Sequence, residues 1–201
     1  MEKLIIINAS PRAPRSNSKR YSEIFMQKCK RTTDYYALKP DNHKMICSEI
    51  EHCSDILFVF PLYADSLPVS LIKFLKSLIN NPPKNKPVIS IMINCGFLEP
   101  RQNCIAEKQM RLFAEQNGYK FGAAMKIGSG EAILDTIFAP IANMYIHFFA
   151  TAMAKQRYRN MSFTMPVSKK LFLKESTKYW LEMAKKNNIT EEDMRKMTIE
   201  Q

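Results

Sequence analysis

Glycine is scarce in this chain: only five of its 201 residues are glycine, and the first of them is Gly96. Two familiar phosphate-binding signatures depend on glycine, because it lets the backbone approach a phosphate closely. They are the G-x-G-x-x-G turn of dinucleotide-binding domains and the G-x-x-x-x-G-K-[ST] loop of P-loop nucleotide hydrolases. Neither signature occurs in the sequence, so neither class of nucleotide-binding protein is supported.

Cysteine and histidine are also few. The five cysteines are odd in number and form no C-x-x-C pair, which argues against a disulfide framework and a zinc site. Cys47 and Cys53 lie in a predicted helix and are interpreted as packing residues, so no metal cluster is expected. With three histidines, the chain shows no catalytic triad and no paired carboxylates. A hydrolytic role for Ser10 or Ser16 would therefore lack a positioned base.

Acidic residues are outnumbered, with 19 Asp and Glu against 30 Lys and Arg, which gives a formal net charge of +11. The basic excess is concentrated in residues 12–31 and 155–186, and it raises the local concentration of anions. The basic runs show no helix-turn-helix, zinc-finger or RNA-recognition signature, so nucleic acid is not the favoured partner. Phosphorylated cofactors are one alternative, and lysines on solvated helix faces are the simpler one.

No export signal or membrane span is predicted. At the N-terminus a single lysine precedes four strongly apolar residues and then a polar loop, so we expect a cytoplasmic protein. Residues 132–154 are apolar, but Asp135, Pro140, Asn143 and His147 interrupt them, so they are not read as a membrane helix. No linker divides the chain, and we expect a single domain over residues 1–201.

Three short apolar runs are each followed by a polar loop. They lie at Leu4–Ile7, 55–60 and 88–93, and each predicts a buried parallel strand. Because the carboxyl ends of parallel strands meet at one edge of a sheet, the loops after them converge on one site if the strands are neighbours. The first loop ends in Ser16-Asn17-Ser18, residues that favour helix N-caps. A helix start with nearby hydroxyls is suited to holding an anion.

The same loops resemble segments of the NADPH-dependent FMN reductase family. Residues 9–18, ASPRAPRSNS, resemble its G-S-x-R-x-x-S-x-[ST] region, with Ala9 in place of the usual glycine. The P-x-Y sequence at Pro61–Tyr63 resembles the loop that lies along the flavin ring in that family. The segment Asn94–Phe97 resembles its second flavin-contacting loop. Together these motifs place the resemblance over about two thirds of the chain, residues 3–130.

The resemblance implies a flavodoxin-like α/β fold, a three-layer α/β/α sandwich with five parallel strands ordered 2-1-3-4-5. The flavodoxin-like core would span residues 1–130, and residues 131–201 would form a helical extension. It also implies residues that hold FMN. The phosphate contacts would be Ser10, Arg12, Ser16, Asn17 and Ser18. The ring contacts would be Pro61, Leu62, Tyr63, Ala64, Asp65, Asn94, Cys95, Gly96 and Phe97.

The function implied is an oxidoreductase that transfers a hydride from NADPH or NADH through FMN to a quinone, free flavin or other small acceptor. No catalytic side chain is predicted, because the flavin ring itself carries the redox chemistry. A homodimer is expected, because residues 135–154 present more apolar surface than one sheet face needs. The alternative is a basic flavodoxin-like binding protein that has lost the cofactor, suggested by Ala9 and by the positive charge.

Overall fold

The computed structural model describes residues 3–13 and 15–196. They form two compact units, one that ends at Met165 and one that begins at Pro166. The strands of the first unit are β1 (Leu4–Asn8), β2 (Thr33–Ala37), β3 (Asp55–Pro61), β4 (Val88–Asn94), β5 (Phe121–Ile127) and β6 (Met161–Phe163). Its helices are α1 (Asn17–Lys28), α2 (His43–Ile50), α3 (Val69–Asn80), α4 (Cys104–Gln116) and α5 (Ala139–Ala154), with short 3-10 turns at Pro100–Asn103 and Ile133–Asp135. The second unit contains α6 (Lys169–Lys186) and α7 (Glu191–Lys196).

The strands form one parallel sheet in the order β2-β1-β3-β4-β5-β6. The predicted order 2-1-3-4-5 is confirmed, and β6 adds a sixth strand beyond the predicted five. This last strand pairs with the end of β5, where Met161 lies opposite Met125. It was missed because it has three residues and only Phe163 is buried, so no apolar run marks it. Together, α5 and β6 place residues 139–163 in the same compact unit as the sheet.

The central strands are buried on both faces. Every residue of β1 is buried, as are the first six of β3, which matches their unbroken apolar sequences. Side chains on one face of the sheet pack with α2, α3 and α4 in a single core cluster. Helices α1 and α5 pack together, with the rings of Phe25 and Phe149 edge to face at 6.2 Å. The loops at the carboxyl ends of the strands are therefore held by a rigid three-layer frame.

A charged cluster lies at the amino end of β3, opposite the carboxyl ends of the strands. Arg31, which follows α1, pairs with Asp55 at the start of β3 at 2.8 Å, and the side chains are 9% and 1% exposed. Tyr158, in the segment before β6, donates a 2.6 Å hydrogen bond to the other carboxylate oxygen. Hydrogen bonds to both oxygens compensate the buried charge, which would otherwise be costly. The cluster thereby ties three distant segments of the first unit together.

The apolar stretch near residue 140 forms α5, which begins at Ala139 with Pro140 in its first turn. Proline is tolerated there because the first N–H groups of a helix have no intrahelical partner. Its buried side chains include Ile146 and Phe149, while Met144 and Phe148 remain exposed. Among the described residues, no helix combines the length and the apolar character that crossing a bilayer requires.

Candidate functional site

A cleft of about 110 Å³ lies where β1, β3 and β4 end. Each of the three predicted loops contributes to it, as expected for parallel strands that are neighbours. The predicted residues that line it are Ser10, Arg12, Ser16, Asn17, Ser18, Pro61, Leu62, Tyr63, Asn94, Cys95 and Gly96. The structure therefore brings most of the proposed phosphate and ring contacts together around one cavity.

Three other predicted contacts do not line this cleft. Ala64 and Asp65 form the tip of a tight turn, with φ of 44° and 55°. The turn is closed by backbone hydrogen bonds in both directions between Tyr63 and Ser66, at 3.2 and 2.9 Å. Positive φ at both central residues is the type I′ geometry that joins antiparallel segments. Phe97 follows β4 and is 53% exposed.

The first loop is fixed by Asn8, the last residue of β1. Its side-chain oxygen accepts from the backbone N–H of Ser10 at 2.9 Å. Its amide nitrogen donates to the Tyr35 hydroxyl at 2.8 Å and to Ser16 Oγ at 3.4 Å. The strand end, a neighbouring strand and the start of α1 are therefore joined through one buried amide.

Ser16 is the N-cap of α1, as the sequence predicts for this stretch. Its backbone is extended, and its Oγ accepts from the backbone N–H of Lys19 at 3.2 Å. Because Ser16 Oγ is an acceptor in its described hydrogen bonds, its own hydrogen can be donated to a ligand. The N–H groups of Asn17 and Ser18 belong to the first helical turn and have no intrahelical partner. This end of the cleft therefore presents several donors and the positive end of the helix dipole.

Ser18 links the start of α1 to the end of β4. It is 1% exposed, and its Oγ accepts from the side-chain amide of Asn94 at 3.0 Å. The same amide nitrogen donates to the carbonyl of Phe60 at 3.2 Å. The hydrogen of Ser18 can be donated like that of Ser16, so Asn94 positions a second hydroxyl donor beside the helix start.

Cys95 also lines the cleft, and it is buried. Burial raises the pKa of its thiol, which therefore stays protonated at neutral pH. The thiol lies 3.6 Å from the carbonyl of Ile127, to which it donates. A protonated thiol is a poor nucleophile, so Cys95 suits a packing role and not covalent catalysis.

Glu131 lines the cleft as well, and sequence reasoning missed it. It follows the strand-end loop Gly128-Ser129-Gly130 after β5. The loop is held against α1, because the Tyr21 hydroxyl donates to the Gly130 carbonyl at 2.7 Å and Asn17 donates to the Glu131 carbonyl at 3.1 Å. The signal was present: β5 is parallel to β4, so the loop after it must lie at the same edge of the sheet.

The Glu131 carboxylate pairs with Arg12 at 3.2 Å, and this hydrogen bond raises the pKa of the Arg12 guanidinium. Arg12 thus reaches across the cleft from the loop after β1 to the loop after β5. A neighbouring basic cleft is lined by Arg12, Arg15, Lys19 and Arg20, together with Glu23 and Glu131. Of the two arginines in the first loop, only Arg12 lines both clefts.

The arrangement fits a phosphorylated ligand with a flat apolar part. The cleft offers hydroxyls, a guanidinium and a helix N-terminus, and Pro61, Leu62 and Tyr63 add apolar and aromatic surface, with the Tyr63 side chain close to Arg12. A Cβ built on Gly96 would meet only one atom within 4 Å, the Glu131 Oε2 at 3.4 Å. The space beside Gly96 is therefore open for a ligand.

Metal chemistry finds no equivalent support in residues 3–13 and 15–196. No group of three or more His, Cys, Asp or Glu side chains lies close enough together to hold a metal ion in that part of the chain. Cys47 lies in α2 as predicted, whereas Cys53 lies outside it because the helix ends at Ile50; both are buried in the core cluster, in agreement with their interpretation as packing residues.

No protein-family model matches this chain, and no curated protein matches it by sequence. Several solved structures are similar to it in fold. An FMN-dependent NADH-azoreductase from Bacillus anthracis in complex with FMN is similar at a TM-score of 0.59 and 13% identity, over 77% of this chain and 100% of that chain. An NADPH-quinone reductase from P. pentosaceus is similar at a TM-score of 0.58 and 18% identity, over 77% and 98%. A flavodoxin from Streptococcus pneumonia TIGR4 gives 0.56 and 14%, over 78% and 99%. These likenesses show that the fold is flavodoxin-like.

Proposed function

We propose that this protein is an FMN-dependent oxidoreductase that accepts a hydride from NADPH or NADH and passes it to a small acceptor such as a quinone or a free flavin. The observation that carries this proposal is the single cleft in which the capped start of α1 meets the ends of β3 and β4. The site joins donors for an anion to apolar and aromatic surface for a ring.

The phosphate of FMN would be held by the first loop and the first turn of α1. The hydroxyls of Ser16 and Ser18 each retain a hydrogen to donate, and Arg12 supplies a charged donor at the cleft. The loop contains no glycine, unlike the turn that accommodates the pyrophosphate of a dinucleotide. A single terminal phosphate, as in FMN, suits it better.

The ring would lie between the loops after β3 and β4. Pro61, Leu62 and Tyr63 would pack against it, and Gly96 leaves its backbone exposed to the cleft. When bound, the flavin supplies the hydride-transfer chemistry, and the protein's part is binding, orientation and hydrogen bonding.

The solved structures support the proposal, because an FMN-dependent azoreductase and an NADPH-quinone reductase share the fold. The alternative of a cofactor-free basic binding protein draws less support from the site. The cations around the neighbouring cleft are largely paired: Arg12 with Glu131, Lys19 with Glu23, and Arg20 with Asp135. Such pairing reduces the attraction of this surface for a polyanion.

The test is a visible spectrum of the purified protein after incubation with FMN and removal of free flavin, followed by anaerobic addition of NADPH and, separately, NADH. We expect about one FMN per chain and bleaching of the flavin absorbance near neutral pH. A protein that takes up no FMN, or that holds FMN which neither nicotinamide bleaches, would overturn the oxidoreductase assignment. Retardation of DNA or RNA by a colourless protein would support the alternative.

A further inference from the structure

Glu131 places a negative charge inside a cleft whose other polar groups favour an anion. One of its carboxylate oxygens lies 3.2 Å from the Arg12 guanidinium. The other lies 3.4 Å from where a Cβ on Gly96 would stand. The carboxylate therefore lies between Arg12 in the loop after β1 and Gly96 in the loop after β4.

The backbone of Glu131 cannot easily withdraw. Its carbonyl accepts from Asn17, and the preceding carbonyl accepts from the buried Tyr21 hydroxyl. Gly130 is packed so closely that a Cβ there would lie 2.8 Å from the Cβ of Asn94. The loop backbone is thus held at the start of α1, so a ligand displaces the Glu131 side chain more easily than the Glu131 backbone.

The ion pair itself is weak enough to exchange. The side chains of Arg12 and Glu131 are 66% and 41% exposed, and exposed pairs contribute little because water screens them. A phosphate carries nearly two negative charges and binds guanidinium groups with two parallel hydrogen bonds. A phosphate that enters the cleft would take Arg12, and the carboxylate would have to turn away from it.

We propose that Glu131 competes with the flavin phosphate for Arg12: it pairs with Arg12 in the free protein and is displaced when the phosphate binds. The proposal rests on the function proposed above and deepens it, because it assigns Glu131 a role in setting the affinity for the phosphate. The competition lowers the affinity for FMN but not for riboflavin, which has the same ring and no phosphate. Glu131 therefore narrows the difference in affinity between the two flavins.

The experiment measures the dissociation constants of FMN and riboflavin by quenching of flavin fluorescence, for the wild type and for Glu131→Gln. Glutamine keeps the size of the side chain and removes its charge. The matched control is Glu23→Gln, since Glu23 is also exposed, lines the neighbouring cleft and pairs with Lys19 instead of Arg12. We expect Glu131→Gln to bind FMN about threefold to tenfold more tightly than the wild type. This difference in affinity should shrink as salt is added. Riboflavin affinity should change less than twofold, and Glu23→Gln should alter neither ligand.

Two results would overturn the proposal. If Glu131→Gln weakens FMN binding or leaves it unchanged, Glu131 does not compete with the phosphate for Arg12. If it shifts FMN and riboflavin equally, its effect does not act through the phosphate.

A second titration separates this proposal from the proposed function. Inorganic phosphate is added to the same proteins and followed by the NMR signal of the Arg12 side chain. Tighter phosphate binding in Glu131→Gln supports the competition even if neither flavin binds the wild type, in which case only the oxidoreductase assignment fails. If the wild type binds neither flavin and Glu131→Gln leaves phosphate binding unchanged, both the competition and the oxidoreductase assignment are wrong.

Discussion

The side-chain amide of Asn94, at the end of β4, donates a 3.0 Å hydrogen bond to Ser18 Oγ in the first turn of α1. The two residues are 76 positions apart in the chain, and both are at most 5% exposed. Through this bond the loop proposed to contact the flavin ring and the helix start proposed to hold its phosphate are held in one geometry. The relative position of the two ends of the cleft therefore depends in part on this amide.

Replacing Asn94 with Ala should loosen both ends of the cleft at once. A buried hydroxyl and the Phe60 carbonyl would lose their donor, at a cost of about 1–3 kcal/mol in the free energy of unfolding. FMN affinity should fall as well, because the helix start is no longer positioned. Urea unfolding and flavin titration would measure the two effects. Asn81→Ala, at an exposed helix end, is the control and should leave FMN affinity unchanged.

Replacing Ser16 and Ser18 together with Ala should reduce the free energy of flavin binding more than the free energy of unfolding. Two hydroxyl donors to a charged group would be lost, worth about 3 kcal/mol in binding or roughly a hundredfold in affinity. Loss of the N-cap costs about 1 kcal/mol of stability, and loss of the buried hydrogen bond between Asn94 and Ser18 adds about 1 kcal/mol. Ser22→Ala, on the same helix but outside the cleft, is the matched control. Equal FMN affinity in the double variant and the wild type would remove these serines from the phosphate site.

Tyr158→Phe should destabilise the protein without touching the cleft. The variant loses a 2.6 Å hydrogen bond to the buried Asp55 carboxylate, and bonds to charged groups contribute about 1.5–3 kcal/mol. Thermal and urea unfolding would show the loss, and FMN affinity should be retained. Tyr179→Phe, with a 48% exposed ring, should be close to neutral. A stability equal to that of the wild type would mean that Tyr158 contributes nothing to the charged cluster.

The stability of the protein should fall in acid through Glu107. Burial opposes ionisation of this carboxyl, but hydrogen bonds from Lys126 and Arg111 outweigh burial and hold its pKa below the usual value. A lowered pKa in the folded state means that the contribution is fully present above the unfolded value of about 4.3 and is lost as the pH falls through the lower folded value. The free energies of unfolding of the wild type and Glu107→Gln, measured with urea, should therefore differ by about 1–3 kcal/mol at pH 7. The difference should shrink as the pH is lowered through the folded pKa of Glu107.

A homodimer remains a prediction, and α5 offers the surface to test it. Met144 and Phe148 on this helix are 46% and 50% exposed, more than packing against α1 requires. Phe148→Glu should convert a dimer to a monomer in sedimentation, because the interface would bury an unpaired charge. Leu112→Glu, at a 52% exposed position of α4, should leave the assembly unchanged. A wild type that sediments as a monomer at micromolar concentration would contradict the prediction.

The sequence predicted the frame well because the frame depends on strong local signals. The apolar runs of β1, β3 and β4 and the caps before α1 are visible in the residues themselves, and the convergence of their loops follows from parallel pairing. By contrast, β6 has one buried residue and is recognisable as a strand only because it pairs with β5. Its prediction would have required knowledge of the partner strand.

At the site, the gap between sequence and structure has the same cause. Glu131 reaches the cleft because Asn17 and Tyr21 hold its loop, contacts that span more than 100 positions of the chain. Ala64 and Asp65 were predicted to contact the ligand but do not line the cleft. They follow Tyr63 in sequence, and their positive φ angles turn the chain back on itself there. A family motif gives the position of a loop, whereas the conformation within the loop decides which residues face the ligand.

The pair of Arg12 and Glu131 joins positions 119 residues apart. Contacts of such long sequence separation form late, because a large loop of chain must close before they can be made. A ribosome-bound chain that has not yet released β5 would lack one wall of the cleft, however well its first strands were paired. If the cleft binds flavin as proposed, quenching of flavin fluorescence during synthesis reports the emergence of the loop after β5, before α5 and β6 complete the first compact unit.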